Sequence, residues 1–121
     1  MIEVVPSRKF KEDVKFYIRK RKYISINRDI ISAKKEIANG NFVGDKLDNL
    51  KLPCGDVYKV RLPNSSTHDG KSNGFRLLYY AVLEEKVYLL SIYSKKDDNR
   101  VLNDKQIAVL AQNILANSAE I

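Results

Sequence analysis

Between Val57 and Tyr93 the apolar positions first alternate and then become nearly continuous. In Val57-Tyr58-Lys59-Val60-Arg61-Leu62, the side chains of Tyr58, Val60 and Leu62 are apolar, with Lys59 and Arg61 set between them. A period of two predicts a strand with its apolar set on a core and the two cations side by side on the other face. Phe75-Arg76-Leu77-Leu78-Tyr79-Tyr80 and Val87-Tyr88-Leu89-Leu90-Ser91-Ile92-Tyr93 are apolar almost throughout, the pattern of strands buried on both faces. Strands are expected at about 57–62, 74–84 and 86–94, the last two joined by a tight turn at Glu84-Glu85 in an antiparallel meander. A short first strand over residues 2–5 is stopped by Pro6.

The helical period appears elsewhere. Phe10, Val14, Tyr17 and Ile18 form one apolar face, and Ser7 stands where its hydroxyl can cap that helix. Ile30, Ala33 and Ile37 share a face of a second helix from about Asn27 to Ala38, ended by Asn39-Gly40. The short connection predicts an antiparallel helical hairpin. Residues 40–56 read as a loop pinned by Phe42, Val43, Leu47, Leu50 and Leu52. Asn103 and Gln106 have the spacing of a capping box, ahead of an amphipathic helix carrying Ile107, Leu110, Ala111, Ile114 and Leu115. The expected order is β-α-α-β-β-β-α, a two-layer α+β domain spanning residues 1–121. Its sheet should have about four strands, with the hairpin and final helix over its edge and one face.

At 121 residues and 44% hydrophobic, the chain has enough apolar side chains for a single core. No apolar run approaches the ~20 residues needed to span a bilayer. Met1-Ile2-Glu3-Val4-Val5-Pro6 lacks the layout of a signal peptide, and Cys54, the only cysteine, fits a reducing compartment. A cytoplasmic location without membrane contact is therefore expected. The net charge of +7 favours a polyanionic partner such as nucleic acid.

Most catalytic chemistries lack their residues. One histidine and one cysteine supply no metal-ligand set, so no metal or cofactor is expected. Gly70-Lys71-Ser72 lacks the upstream glycine and the following helix of a nucleotide-binding loop. His68 lies in a polar loop and reads first as a solvent-exposed residue, with acid–base work open to it. Cys54 reads as structural or incidental. Lys59, Arg61 and Arg76 together suggest a phosphate site, because arginine offers two parallel donors and stays charged. Lys71, Lys95 and Lys96 lie on adjoining loops and strand ends. Lys20 and Lys22 belong to a basic surface around the first helix, a solvated face or a phosphate contact. Tyr79 and Tyr80 read as core, whereas Tyr93 stands near the cations.

The opening strand, the basic hairpin, Tyr58-Lys59-Val60-Arg61, Gly70-Lys71 with Gly74-Phe75-Arg76, and Tyr79-Tyr80 occur in a recognisable order. With Leu90-Ser91-Ile92-Tyr93-Ser94-Lys95 and the capped helix at Leu102-Asn103-Asp104, the chain resembles type II toxins of the RelE/ParE superfamily, especially the HigB-like branch. The resemblance implies a RelE-like fold and a metal-independent endoribonuclease that cuts mRNA on the 70S ribosome. It also implies neutralisation by an antitoxin encoded nearby, a DNA-binding HigA-like protein. By the same resemblance Lys59 and Arg61 match cations holding the scissile phosphate, Arg76 the arginine stabilising charge there, and Lys96 an arginine of some relatives. Lys59 is the first candidate for a base, Tyr93 or His68 the next. Lys71, Lys95, Lys96, Lys20 and Lys22 would bind RNA. A catalytic tyrosine of some relatives corresponds to Leu102, so that role is vacant. A gyrase-inhibiting ParE-like toxin and a non-catalytic RNA-binding module remain as alternatives.

Overall fold

The computed structural model describes residues 2–83 and 85–119. Its class is α+β. A five-stranded sheet has the order β1-β5-β4-β3-β2, built from β1 (Glu3–Pro6), β2 (Asp45–Lys46), β3 (Asp56–Leu62), β4 (Phe75–Leu83) and β5 (Lys86–Ser94). β1 runs parallel to β5 and the other neighbours are antiparallel. Helices α1 (Arg8–Arg19) and α2 (Ile26–Ala38) form the hairpin, and α3 (Asp104–Ala119) follows the sheet.

The local signals explain these boundaries. Ser7 accepts a hydrogen bond from the Phe10 amide at 3.2 Å and donates to the Leu90 carbonyl at 3.1 Å, so it both caps α1 and ties it to β5. Pro6 is the last residue of β1 rather than its stop, a position open to proline because an edge strand needs fewer amide donors. Asn103 and Gln106 exchange hydrogen bonds at 2.9 and 2.8 Å, completing the capping box. Two-residue β2 lies within the stretch expected to be loop, too short to leave a period. Gly44 allows it to form, with a φ of +100° and a position where a Cβ would overlap the Lys59 carbonyl. Of the expected Glu84-Glu85 turn, Glu84 lies outside the described residues.

The expected two layers are three. One face of the sheet, with Leu62, Phe75, Leu77, Tyr79, Leu89 and Ile92, packs under Phe10, Tyr17, Ile26, Ile30, Ala33 and Ile37 of the hairpin. The other, with Val57, Leu78, Tyr80, Tyr88, Leu90 and Tyr93, packs under Ile107 and Ala111 of α3 and under Leu47, Leu50 and Leu52. Consecutive apolar residues in β4 and β5 require cover on both sides, which a hairpin on one side cannot supply. Because β1 pairs only with residues 86–89 of β5, the rest of that edge needs other partners. α1 provides them: Asp13 accepts from the Ile92 amide at 3.1 Å and the Tyr17 hydroxyl from the Ser94 amide at 2.8 Å. No helix among the described residues is long and apolar enough to cross a membrane.

Candidate active site

The strand register lines up Arg61 with Arg76, and Arg76 with Tyr93. Alternation along β3 turns Lys59 and Arg61 away from the hairpin, because Tyr58, Val60 and Leu62 face it. Arg76 shares a face with Leu78 and Tyr80, so all three cations lie on the side that α3 covers farther along. Of the three, Arg61 is exposed and Lys59 half-buried. Among the described residues neither carries an ion pair or hydrogen bond from its side chain. Lys59 is opposite Leu78, one step from the row formed by Arg61, Arg76 and Tyr93.

Arg76, unlike Arg61, is closed off from solvent. It is 9% exposed, and its guanidinium is folded against the loop before β4. Nη1 donates to the carbonyls of Lys71 at 3.0 Å and Phe75 at 3.2 Å, and Nη2 to that of Ser72 at 3.1 Å. Three of the five N–H donors of an arginine are thus taken, leaving Nε and one hydrogen of Nη2. Burial and then Arg61 lower its pKa from the ordinary guanidinium value, with no carboxylate bonded to it among the described residues. It stays a cation at any physiological pH. Gly74 lets the start of β4 approach the end of β3, since a Cβ there would overlap the Leu62 carbonyl.

Tyr93 is 5% exposed. Burial raises its pKa, and neighbouring Arg76 only partly offsets this. The side chain is therefore a phenol at neutral pH, a proton donor rather than a base. Tyr79 and Tyr80 are buried, their hydroxyls donating to the carbonyls of Val43 and Cys54, as core tyrosines do.

The outer cations divide. Lys71 and Lys95 are exposed, and the Lys95 amide donates to the Gly74 carbonyl at 2.9 Å, holding the end of β5 to the start of β4. Lys96, expected to meet RNA, is paired with Asp69 at 2.7 Å. That bond raises the Lys96 pKa and is the main cause of the lowered Asp69 value. Lys20 and Lys22 are exposed in the hairpin turn, Lys22 with a φ of +61°. Arg21 between them pairs with Asp97 at 2.8 Å, which sets this turn at the same end of the sheet as Tyr93. His68 is exposed, with a φ of +60°, and caps the short turn Ser65–Thr67 outside the row. Cys54 is exposed, its sulfur 4.0 Å from the Tyr80 hydroxyl. Among the described residues no group of three or more His, Cys, Asp and Glu side chains is placed to hold a metal.

A further cluster holds the site's surroundings. Buried Asp13 accepts from Lys9, from Arg100 at 2.8 Å and from Ser91 at 2.6 Å, while Arg100 stacks over Phe16 at 3.9 Å. It straps the segment after β5 to α1. The sequence offered one signal: Asp13 falls three residues after Phe10 and four before Tyr17, on the apolar face, where a carboxylate needs partners.

No model of a known protein family matches this chain, and neither does any curated protein.

Proposed function

We propose that this chain is the toxin of a type II toxin–antitoxin pair, a metal-independent endoribonuclease of RelE-like fold that cuts ribosome-bound mRNA. The observation that carries the reading is the row Arg61–Arg76–Tyr93, flanked by Lys59, in which an exposed arginine stands in register with a buried arginine and tyrosine. A phosphodiester placed there would meet Arg61, unpaired among the described residues, and the remaining donors of Arg76. RNA brings its own nucleophile. The 2′-oxygen attacks phosphorus, the bond to the 5′-oxygen breaks, and the products are a 2′,3′-cyclic phosphate and a 5′-hydroxyl. Arg61 and Arg76 stabilise the charge that builds on the phosphoryl oxygens. The Tyr93 phenol is the candidate donor to the departing 5′-oxygen, and Nζ of Lys59 the candidate acceptor of the 2′-hydroxyl proton. Positioning of the message by the ribosome supplies the alignment that so small a site lacks. The partner of this reading is an antitoxin encoded nearby.

One observation favours a second reading, a non-catalytic RNA-binding module. Tyr93 is almost buried and three donors of Arg76 are committed to backbone, which suits a rigid binding surface as well as a reacting one. The deciding experiment incubates the purified chain with mRNA-programmed ribosomes and maps fragments carrying 5′-hydroxyl ends. New fragments at defined sites are expected. Association without fragments would leave the binding module, and growth arrest with gyrase inhibition but intact messages the ParE-like alternative.

A further inference from the structure

The first turn of α1 and the outer face of α3 enclose an apolar groove away from the cation row. It has two adjoining lobes, of about 400 and about 330 Å³, which share Lys9 and Leu110. Val5, Tyr88 and Ile114 line the larger lobe, and Leu102 and Val109 the smaller. From Leu102 to Asn117 the groove extends for roughly 20 Å at the helical rise per residue. Val109 is 47% exposed, so an apolar side chain faces water in mid-groove.

Its charge is lopsided. Arg8 and Lys105, both exposed, border the two lobes, whereas the Lys9 ammonium turns inward to Asp13. Among the described residues the one carboxylate in the lining is Glu12, 3.9 Å from Arg8. We propose that this groove docks an amphipathic helix of another protein, about three to four turns long, with an acidic polar face. Apolar side chains at helical spacing would fill the two lobes, and carboxylates would meet Arg8 and Lys105. A second copy of this chain fits poorly, because an isologous contact sets the same basic rim against itself on molecules of charge +7. A small ligand fits poorly too, since pockets for such molecules enclose most of their surface and this groove is long and open. None of the groove residues belongs to the cation row, so the inference stands whether or not the chain cuts RNA.

The probe is a fluorescein-labelled synthetic peptide of about 14 residues, with leucines on one helical face and glutamates elsewhere. It is titrated into the full chain at physiological salt and followed by anisotropy, with amide NMR shifts locating the contact. Saturable binding is expected, with shifts at Val5, Lys9, Val109 and Ile114, and at least tenfold loss in Leu110→Glu. Val109→Glu changes an exposed position, so the fold should tolerate it, and the same loss is expected there. A peptide of equal composition, with its leucines scattered around the helix, should bind at least tenfold more weakly. Equal binding of the two peptides, or unchanged affinity in Val109→Glu, would overturn the proposal. So would a dimer, seen by sedimentation, that Val109→Glu dissolves, for then a second copy covers the groove.

Discussion

Arg76 braces the loop before β4 with three N–H donors and keeps two unused among the described residues. Replacing it with Ala should lower the single-turnover cleavage rate by about 10²–10³, as for other fixed donors to a developing oxyanion. The same change takes a donor from each of three carbonyls, so urea unfolding should show a cost of about 1–3 kcal/mol. Tyr93→Phe isolates the chemistry, since it removes only a hydroxyl that makes no hydrogen bond among the described residues. Its cleavage rate should fall about 10²-fold or more with stability unchanged, and a normal rate would remove Tyr93 from the proton transfer. Lys96 and Asp69 permit a pH test. A carboxylate with a lowered pKa contributes stability above its unfolded value and loses it as pH falls through the folded one. A lysine with a raised pKa contributes below its unfolded value and loses it as pH rises through the folded one. The melting-temperature gap between the native chain and Asp69→Asn should thus be flat over about pH 5–9 and narrow at both extremes.

At the level of elements, what could be read depended on whether a signal was local. Period two in β3 put Lys59 and Arg61 on one face, and the caps of α1 and α3 lay within a few residues of each other. That Arg76 shares their face depends on strand register, which pairs Arg61 with Arg76 and is set by packing between distant segments. The third layer was signalled by unbroken apolar runs in β4 and β5, but their pattern does not say which helix covers which side. Lys96 looked like a free cation because its partner, Asp69, is 27 residues away along the chain. The strap around Asp13 had the faintest signal and connects parts farthest apart, α1 with β5 and Arg100. Asp13→Ala leaves Arg100 and the Ile92 amide without their acceptor, and urea unfolding should register a loss of about 3–5 kcal/mol. A loss below about 1 kcal/mol would mean that water replaces the carboxylate.

For the whole molecule, the charge of +7 governs association more than chemistry. Lys20 and Lys22 project from the hairpin turn without ion pairs among the described residues, at the end of the sheet where the cation row lies. Replacing both with Ala should weaken binding to ribosomes and flatten its dependence on salt, by about 0.7–0.9 in log–log slope for each phosphate that is no longer neutralised. At saturating protein the cleavage rate should be normal, and a lower rate there would move these lysines into the reaction centre. The parallel pairing of β1 with β5 has a consequence for how the molecule comes into being. Residues 3–6 leave the ribosome well ahead of residues 86–89, their only strand neighbour among the described residues, and Asp13 waits for Ser91, Ile92 and Arg100. A nascent chain ending before β5 therefore has an unpaired first strand and a helix whose buried carboxylate lacks most of its donors. Synthesis itself thus delays the finished surface: the cations of β3 and β4 emerge well before the segment that sets Tyr93 beside them.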